Sequence, residues 1–119
     1  MPQGSRTDRV GEEFREILAA EIQKLKDPRL GFVTVTGVKV SHDLRHAWIY
    51  YTSLGDDQAK RGSSAALHSA GRRLRHELGR QIRLKVTPEL EFIHDDTSDR
   101  GDRIDAILEQ IHREGGIQP

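Results

Sequence analysis

The order of helical and strand patterns limits how this chain can fold more than any other feature of its sequence. Six segments differ in periodicity and run in the order helix 7–25, strand 32–40, strand 45–53, helix 66–82, strand 87–96 and helix from about 98. Three strands make a small sheet, so the helices are expected to pack on one of its faces. The order therefore predicts a two-layer α+β domain, in which helices cover one face of a three-stranded mixed sheet.

Short polar and glycine-containing stretches predict how the first strands connect. The residues "SHDL" (41–44) favour a turn, so 32–40 and 45–53 should form an antiparallel hairpin. The alternation of valines in "FVTVTGVKV" slips at Gly37, which predicts a β-bulge there. The stretch "GDDQAKRGSS" (55–64) is rich in turn residues and is predicted to be a loop.

Length and composition favour one domain of a protein that is neither secreted nor embedded in a membrane. The 119 residues are expected to form a single domain over 1–119, with 1–5 and 113–119 frayed. The chain has no cysteine, which excludes disulfides, thiol catalysis and cysteine-bound zinc, and agrees with a cytoplasmic location. It shows no apolar run of membrane-spanning length and no secretion signal. The last predicted helix has an apolar stripe formed by Ile104, Ile107, Leu108 and Ile111.

No combination of residues in the sequence predicts an active site or a metal site. "SHDLRH" (41–46) holds Ser, His and Asp, but neighbouring residues in a turn point in diverging directions. "HDDTSDRGD" (94–102) lacks the ligand spacing and the closing glutamate of a calcium loop. There is no phosphate-binding loop, no dinucleotide fingerprint and no G-x-x-G, because none of the 11 glycines are three residues apart. We therefore expect a protein that is not an enzyme and that uses no metal or cofactor.

Positive charge is concentrated in the middle of a chain whose formal net charge is zero. Residues 60–85 hold eight Lys and Arg and one acid, whereas residues 89–114 hold nine acids and three arginines. In the helix 66–82 the basic residues lie opposite or beside a stripe centred on Leu74. Surface helices usually mix charges, and arginine favours bidentate phosphate contacts, so this face is predicted to bind RNA or DNA. A solvated basic face without function is the simpler alternative.

Gly71 stands within the apolar stripe of the same helix, where glycine costs about 1 kcal/mol relative to alanine. One explanation is close packing of Gly71 against the sheet. The other is a kink that divides the helix and presents backbone N–H groups at the start of its second half, where phosphate binds well. The residues alone leave both explanations open.

Three motifs of this chain, "DPRLGFVTVTGVKV", "LHSAGRRLRHELG" and "PELEFIHD", are typical of one known family. Through them the chain resembles the ribosome-binding factor A (RbfA) family from about Arg6 to Ile111. The resemblance implies a KH-like domain of type II with the order α-β-β-α-β-α, whose kinked second helix replaces the G-x-x-G loop by an Ala-x-Gly motif. That motif aligns with Ala70, Gly71 and Arg72, so glycine stands at its middle position here instead of its third.

The resemblance also implies a function. Members of the family are monomeric, cytoplasmic, non-catalytic assembly factors that bind the small (30S) ribosomal subunit and 16S rRNA during late maturation and processing, often with a role in cold adaptation. The acidic segment 89–114 would then face away from the RNA or orient the docking. The alternative is a protein-interaction module whose basic helix docks on an acidic partner protein. The residues expected to contact RNA are Arg6, Arg9, Arg72, Arg73, Arg75, His76, Arg80, Arg83 and Lys85.

Overall fold

Three helices and three strands form the fold within residues 6–95, the part of the chain that the computed structural model describes. Their bounds in chain order are α1 Arg6–Gln23, β1 Val33–Val40, β2 His46–Ser53, α2 Asp57–Ser69, α3 Gly71–Gln81 and β3 Glu89–His94. The predicted order of helix, strand, strand, divided helix and strand is therefore present. The predicted last helix, the ends 1–5 and 113–119, and most of the acidic segment lie outside the described residues.

The three strands form one mixed sheet in the order β1-β2-β3. β1 and β2 are antiparallel and form the predicted hairpin, with Val40 opposite Ala47 beside the turn. β2 and β3 run parallel, with Ile49 level with Phe92, because α2 and α3 together form the crossover between them. The predicted α+β class and mixed sheet are confirmed.

The predicted bulge in β1 is also confirmed. The register of β1 against β2 shifts between Val35 and Gly37. An extra residue reverses the alternation of the strand, so the valines after the shift return to the side of the valines before it. The β1 residues that pair with the buried alternate residues of β2 are Val33, Val35, Val38 and Val40. One bulge thus keeps all four valines on the same face of the sheet.

The core lies between the sheet and the three helices. α1 contributes Phe14 and α3 contributes Leu74, and neither has any exposed surface. α1 lies close to β1 because Gly11 faces the strand, and a Cβ there would be 2.9 Å from the carbonyl oxygen of Val38. The helices therefore cover one face, called here the inner face, to which β2 contributes Ala47, Ile49 and Tyr51.

The loop predicted over 55–64 is wrong, because α2 begins within that stretch. Asp56 is the N-cap of α2, and its carboxylate accepts a hydrogen bond from the Ala59 N–H at 2.8 Å. Ser63, which the prediction placed in the loop, is fully buried, and its hydroxyl accepts a hydrogen bond from the Gly31 N–H at 2.9 Å. Asp56, which lies in the stretch predicted as a loop, marks a helix start instead, because an aspartate suits both a turn and a helix N-cap. None of the three helices is long and apolar enough to cross a membrane.

Candidate nucleic-acid interface

Ala70 divides the helix that the sequence predicts over 66–82. It is both the C-cap of α2 and the N-cap of α3, with φ −85° and ψ −2°. Its N–H donates to the Ala66 carbonyl at 3.0 Å, and its own carbonyl accepts from the Leu74 N–H at 2.9 Å. No side chain caps the start of α3. The break therefore falls at the first residue of the Ala70-Gly71-Arg72 motif.

Gly71 begins α3, but close packing does not require a glycine there. A Cβ placed on Gly71 would meet no atom within 4 Å. Its φ is not positive either, since within the described residues only Leu44 and Gly55 have positive φ. The explanation that Gly71 packs tightly against the sheet is therefore wrong. An alanine would fit this position without strain.

The outward side of α3 is basic, as its periodicity predicts. Leu74 and Leu78 are fully buried on the inward side. Arg83 and Lys85 follow in the segment between α3 and β3 and are also exposed. The exposed basic residues of α3 itself are Arg72, Arg73, His76 and Arg80.

Arg75 differs from these residues, because its guanidinium bonds to the protein's own backbone. Its Nε donates to the Pro88 carbonyl and its Nη2 to the Thr87 carbonyl, both at 2.9 Å. Its Nη1 also lies 3.7 Å from the Glu89 carboxylate. Arg75 therefore ties α3 to the start of β3, and fewer of its donors are open to RNA than its place in the basic helix suggests.

Arg80 forms an ion pair within α3. Its Nη2 lies 2.7 Å from Oε1 of Glu77, and its Nε donates to the same oxygen at 3.1 Å. The hydrogen bonds from Arg80 lower the pKa of Glu77, and the same pairing raises the pKa of Arg80. The only acid in 60–85 thus offsets the charge of Arg80. Arg72 and Arg73 form no ion pair within residues 6–95.

Four basic side chains from three separate segments line one groove, called here the basic groove. Arg6 reaches it from the start of α1, Arg45 from the hairpin turn, and Arg83 and Lys85 from the segment before β3. The groove has a volume of about 380 Å³, and Asp43 is the single carboxylate among its lining residues in 6–95. In the described part of the chain, none of the four cations forms a salt bridge. The remaining lining residues are Leu44, Leu84 and Val86.

The hairpin turn holds Arg45 at the basic groove. The Ser41 hydroxyl donates to Oδ1 of Asp43 at 2.7 Å, and the same oxygen accepts from the Arg45 N–H at 3.0 Å. These bonds lower the pKa of Asp43, the Ser41 bond most strongly. Leu44 has φ 61°, which reverses the chain. Sequence analysis did not single out Arg45, because only the packing of three segments brings it to the other cations.

The other residues predicted to contact RNA lie outside the basic groove, on α3 and on α1. Arg72, Arg75 and His76 line a shallow hollow with Thr87. Arg73 lines another hollow beside the helix break, which it shares with Lys26, Asp27 and Ala70. Arg9 is exposed on α1, one turn after Arg6, but is not among the residues lining the basic groove. Apart from Arg9, the predicted residues therefore divide between the basic groove and α3.

Within residues 6–95, no cluster of three acidic or histidine residues could hold a metal ion. In "SHDLRH", the Ser41 hydroxyl bonds to Asp43 and to the N–H of His46, so these groups stabilise the turn. The His46 ring lies over the sheet, with Nε2 3.3 Å from the Glu91 carboxylate. This stretch therefore forms no catalytic triad, and the basic surface is the candidate site.

A family model described as Ribosome-binding factor A matches residues 6–108. The chain belongs to the ribosome-binding factor A family. An RbfA of Geobacter sulfurreducens is 47% identical over 113 residues, which cover 94% of this chain and 96% of that protein. An RbfA of Thioalkalivibrio sulfidiphilus is 44% identical over 115 residues, which cover 96% and 89%.

Solved RbfA structures have the same fold. The crystal structure of RbfA from Thermus thermophilus matches with a TM-score of 0.68 and 33% identity over 76% of this chain and 97% of that one. A model of Thermus thermophilus RbfA, fitted into the cryo-EM map of a 30S–RbfA complex, matches with a TM-score of 0.63 and 34% identity over 73% and 92%. These matches confirm the fold class and the family that the motifs indicated.

The "DPRLG" stretch that carries the RbfA resemblance packs beside the helix break. Asp27 accepts hydrogen bonds from the Arg29 backbone and guanidinium, which lower the pKa of Asp27 to about 2. Arg29 Nη2 also donates to the Ser69 hydroxyl at 3.1 Å, one residue before Ala70. A Cβ on Gly62 of α2 would lie 2.9 Å from the Arg29 carbonyl oxygen. In this chain, the motif positions the end of α2 and hence the start of α3.

Proposed function

We propose that this chain binds the small (30S) ribosomal subunit late in its maturation, with the basic groove and the outward side of α3 in contact with 16S rRNA. The observation that carries the proposal is the convergence of Arg6, Arg45, Arg83 and Lys85 around one groove, to which the described part of the chain contributes a single carboxylate. Membership of the RbfA family supports it. So does the Thermus thermophilus relative, whose model is fitted into the map of a 30S–RbfA complex.

The chemistry of the groove suits a phosphate backbone. Guanidinium groups donate in a planar fork that matches two phosphate oxygens, and Lys85 adds a point charge. Within residues 6–95, the guanidiniums of Arg6, Arg45, Arg83 and Arg72 form no salt bridge, so these four are the stronger candidates for phosphate contacts. Arg75 contributes chiefly by holding α3 against Thr87 and Pro88.

The proposed action is binding without catalysis, by a single KH-like domain that acts as a monomer in the cytoplasm. A protein that binds one arrangement of rRNA more tightly than another shifts the population toward the first arrangement. Misfolded RNA helices become more stable as temperature falls, so such a factor would be needed most in the cold. A role in cold adaptation follows from this mechanism.

Charge reversal in the groove tests the proposal. The Arg83→Glu variant should co-sediment with purified small subunits, and bind free 16S rRNA, at least roughly tenfold more weakly than the wild type at moderate salt. The matched control is Lys39→Glu, the same change of charge on an exposed residue of β1. Its binding should stay close to that of the wild type.

Two results would contradict this assignment. Unchanged binding by a folded Arg83→Glu protein would remove the groove from the interface. Loss of binding to whole subunits with unchanged binding to free rRNA would instead identify a subunit protein as the partner, which is the interaction-module alternative. Arg75→Glu is unsuitable here, because it would also break the contacts that hold α3 to the start of β3.

A further inference from the structure

The face of the sheet opposite the helices buries two aromatic rings. Side chains of a strand alternate, so Trp48 and Tyr50 lie on the face opposite Ala47, Ile49 and Tyr51, called here the outer face. Trp48 is 1% exposed and Tyr50 is 2% exposed. Neither belongs to the apolar cluster beneath the helices. Rings buried to this degree need a layer of atoms above them.

The neighbouring strands do not supply that layer. The residues level with Trp48 are Lys39 on β1 and Glu91 on β3, and both are exposed. The His46 ring lies beside the indole on the same strand, with centroids 4.6 Å apart. Neighbours within a sheet enclose a ring at its edges, whereas its outward side can be covered only by another element. The three helices of residues 6–95 all pack on the inner face.

The Tyr50 side chain is likewise buried away from water. Burial raises the pKa of Tyr50 to about 12, and the Glu91 and Asp95 carboxylates add to the increase. Among the described residues, its hydroxyl has no hydrogen-bond partner. A phenol on a solvated sheet face would be hydrated and would titrate near its ordinary value. The Tyr50 ring is therefore shielded from water, as its 2% exposure also shows.

We propose that residues 98–111 of this chain pack across the outer face and cover Trp48 and Tyr50. A helix of this length is about 20 Å long, which is enough to cross three strands spaced about 4.8 Å apart. The side chains that would face the rings form one stripe: Ile104, Ile107, Leu108 and Ile111. The last helix would then lie on the face opposite α1, α2 and α3, and not beside them as the sequence alone suggested.

The path of the chain favours this occupant over a second molecule. The Asp95 N–H donates to the Tyr51 carbonyl at 2.6 Å, so the backbone follows β2 one residue beyond β3. Ser98 is only three residues further along the chain. A covalently tethered segment this close to the sheet has a high effective concentration at the outer face, whereas a second copy must reach it by diffusion.

The test uses Trp48, the only tryptophan in the chain. In the full-length protein, Trp48 should show the fluorescence of a buried indole and weak quenching by acrylamide. The Ile104→Asp/Ile111→Asp variant should shift the emission to that of a solvated indole and raise the quenching constant several-fold. Its far-UV circular dichroism should lose at most the signal of one helix. The control is Ala106→Asp, which adds one carboxylate on the opposite side of the predicted helix and should change neither reading.

Three outcomes would overturn the proposal. The wild-type indole could already be quenched freely, the double variant could leave quenching unchanged, or Ala106→Asp could have the same effect as the double variant. A mass of two chains, with quenching that increases on dilution, would instead assign the outer face to a second copy. If the double variant does not fold, Ile104→Ala/Ile111→Ala replaces it and should give an intermediate increase in quenching. None of these readings depends on RNA binding, so this proposal and the proposed function can fail separately.

Discussion

At the scale of single residues, the glycines of this protein have different physical roles although they look alike in the sequence. Gly11 lets α1 approach β1, because a Cβ there would lie 2.9 Å from the Val38 carbonyl oxygen. Gly71 borders open space and has no positive φ. The two positions therefore predict opposite responses to the same substitution.

Gly71→Ala should stabilise the protein by about 0.4–1 kcal/mol, because alanine reduces the entropy of the unfolded chain and fits the native backbone. Gly11→Ala should destabilise it by about 1–3 kcal/mol, because α1 must move away from the strand. Urea unfolding followed by far-UV circular dichroism measures both changes. A destabilised Gly71→Ala protein would show that the space beside Gly71 is needed in the native state.

At the scale of elements, the start of α2 sets where the divided helix lies. Asp56 caps the helix through the Ala59 N–H, and Ser63 joins it to the Gly31 N–H. Arg29 joins the other end through Ser69. α2 is therefore capped locally at its start and held at its middle and its end by Gly31 and Arg29, so α3 begins at a defined place.

Asp56→Ala should lower the free energy of unfolding by about 1 kcal/mol, because the Ala59 N–H loses its acceptor at the helix start. The neighbouring Asp57→Ala is the control, since Asp57 lies in the first turn without the capping bond and its loss should cost less than about 0.5 kcal/mol. Thermal unfolding of the two variants under the same conditions makes the comparison. Equal effects would argue against Asp56 as the cap.

At the scale of the whole molecule, net charge says little about its partners. The formal charge of the chain is zero, yet residues 6–95 contribute four cations and one carboxylate to the basic groove. Binding to a polyanion then depends on the local field of the groove, which salt screens over about 10 Å at 0.1 M. A neutral protein with such a groove should still show strongly salt-dependent binding.

The association constant with 16S rRNA should therefore fall with salt along a log–log slope near −3, the value for about four phosphate contacts. Arg83→Gln should reduce the magnitude of the slope by about 0.7 to 0.9, because one contact is lost. Filter binding over a range of salt concentrations measures the slope, with Lys39→Gln as the control. A slope near zero for the wild type would contradict phosphate recognition by this surface.

Periodicity and local motifs were sufficient for the element order, the hairpin, the bulge near Gly37 and the basic outward side of α3. These features depend on interactions between residues close in sequence, so alternation and spacing reveal them. The start of α2 was missed because Asp56 suits a turn and a helix cap equally well, and only the packing of Ser63 beside Gly31 distinguishes the two.

Only the tertiary structure decided which charges act together. Arg45 joins Arg6 and Arg83 because α1, the hairpin turn and the segment before β3 meet at one place, and no local pattern encodes that meeting. In the same way, Arg75 turns from solvent to the Thr87 and Pro88 carbonyls, 12 and 13 residues away. Sequence periodicity tells which side of a helix faces outward, but what that side contacts depends on segments that folding brings beside it.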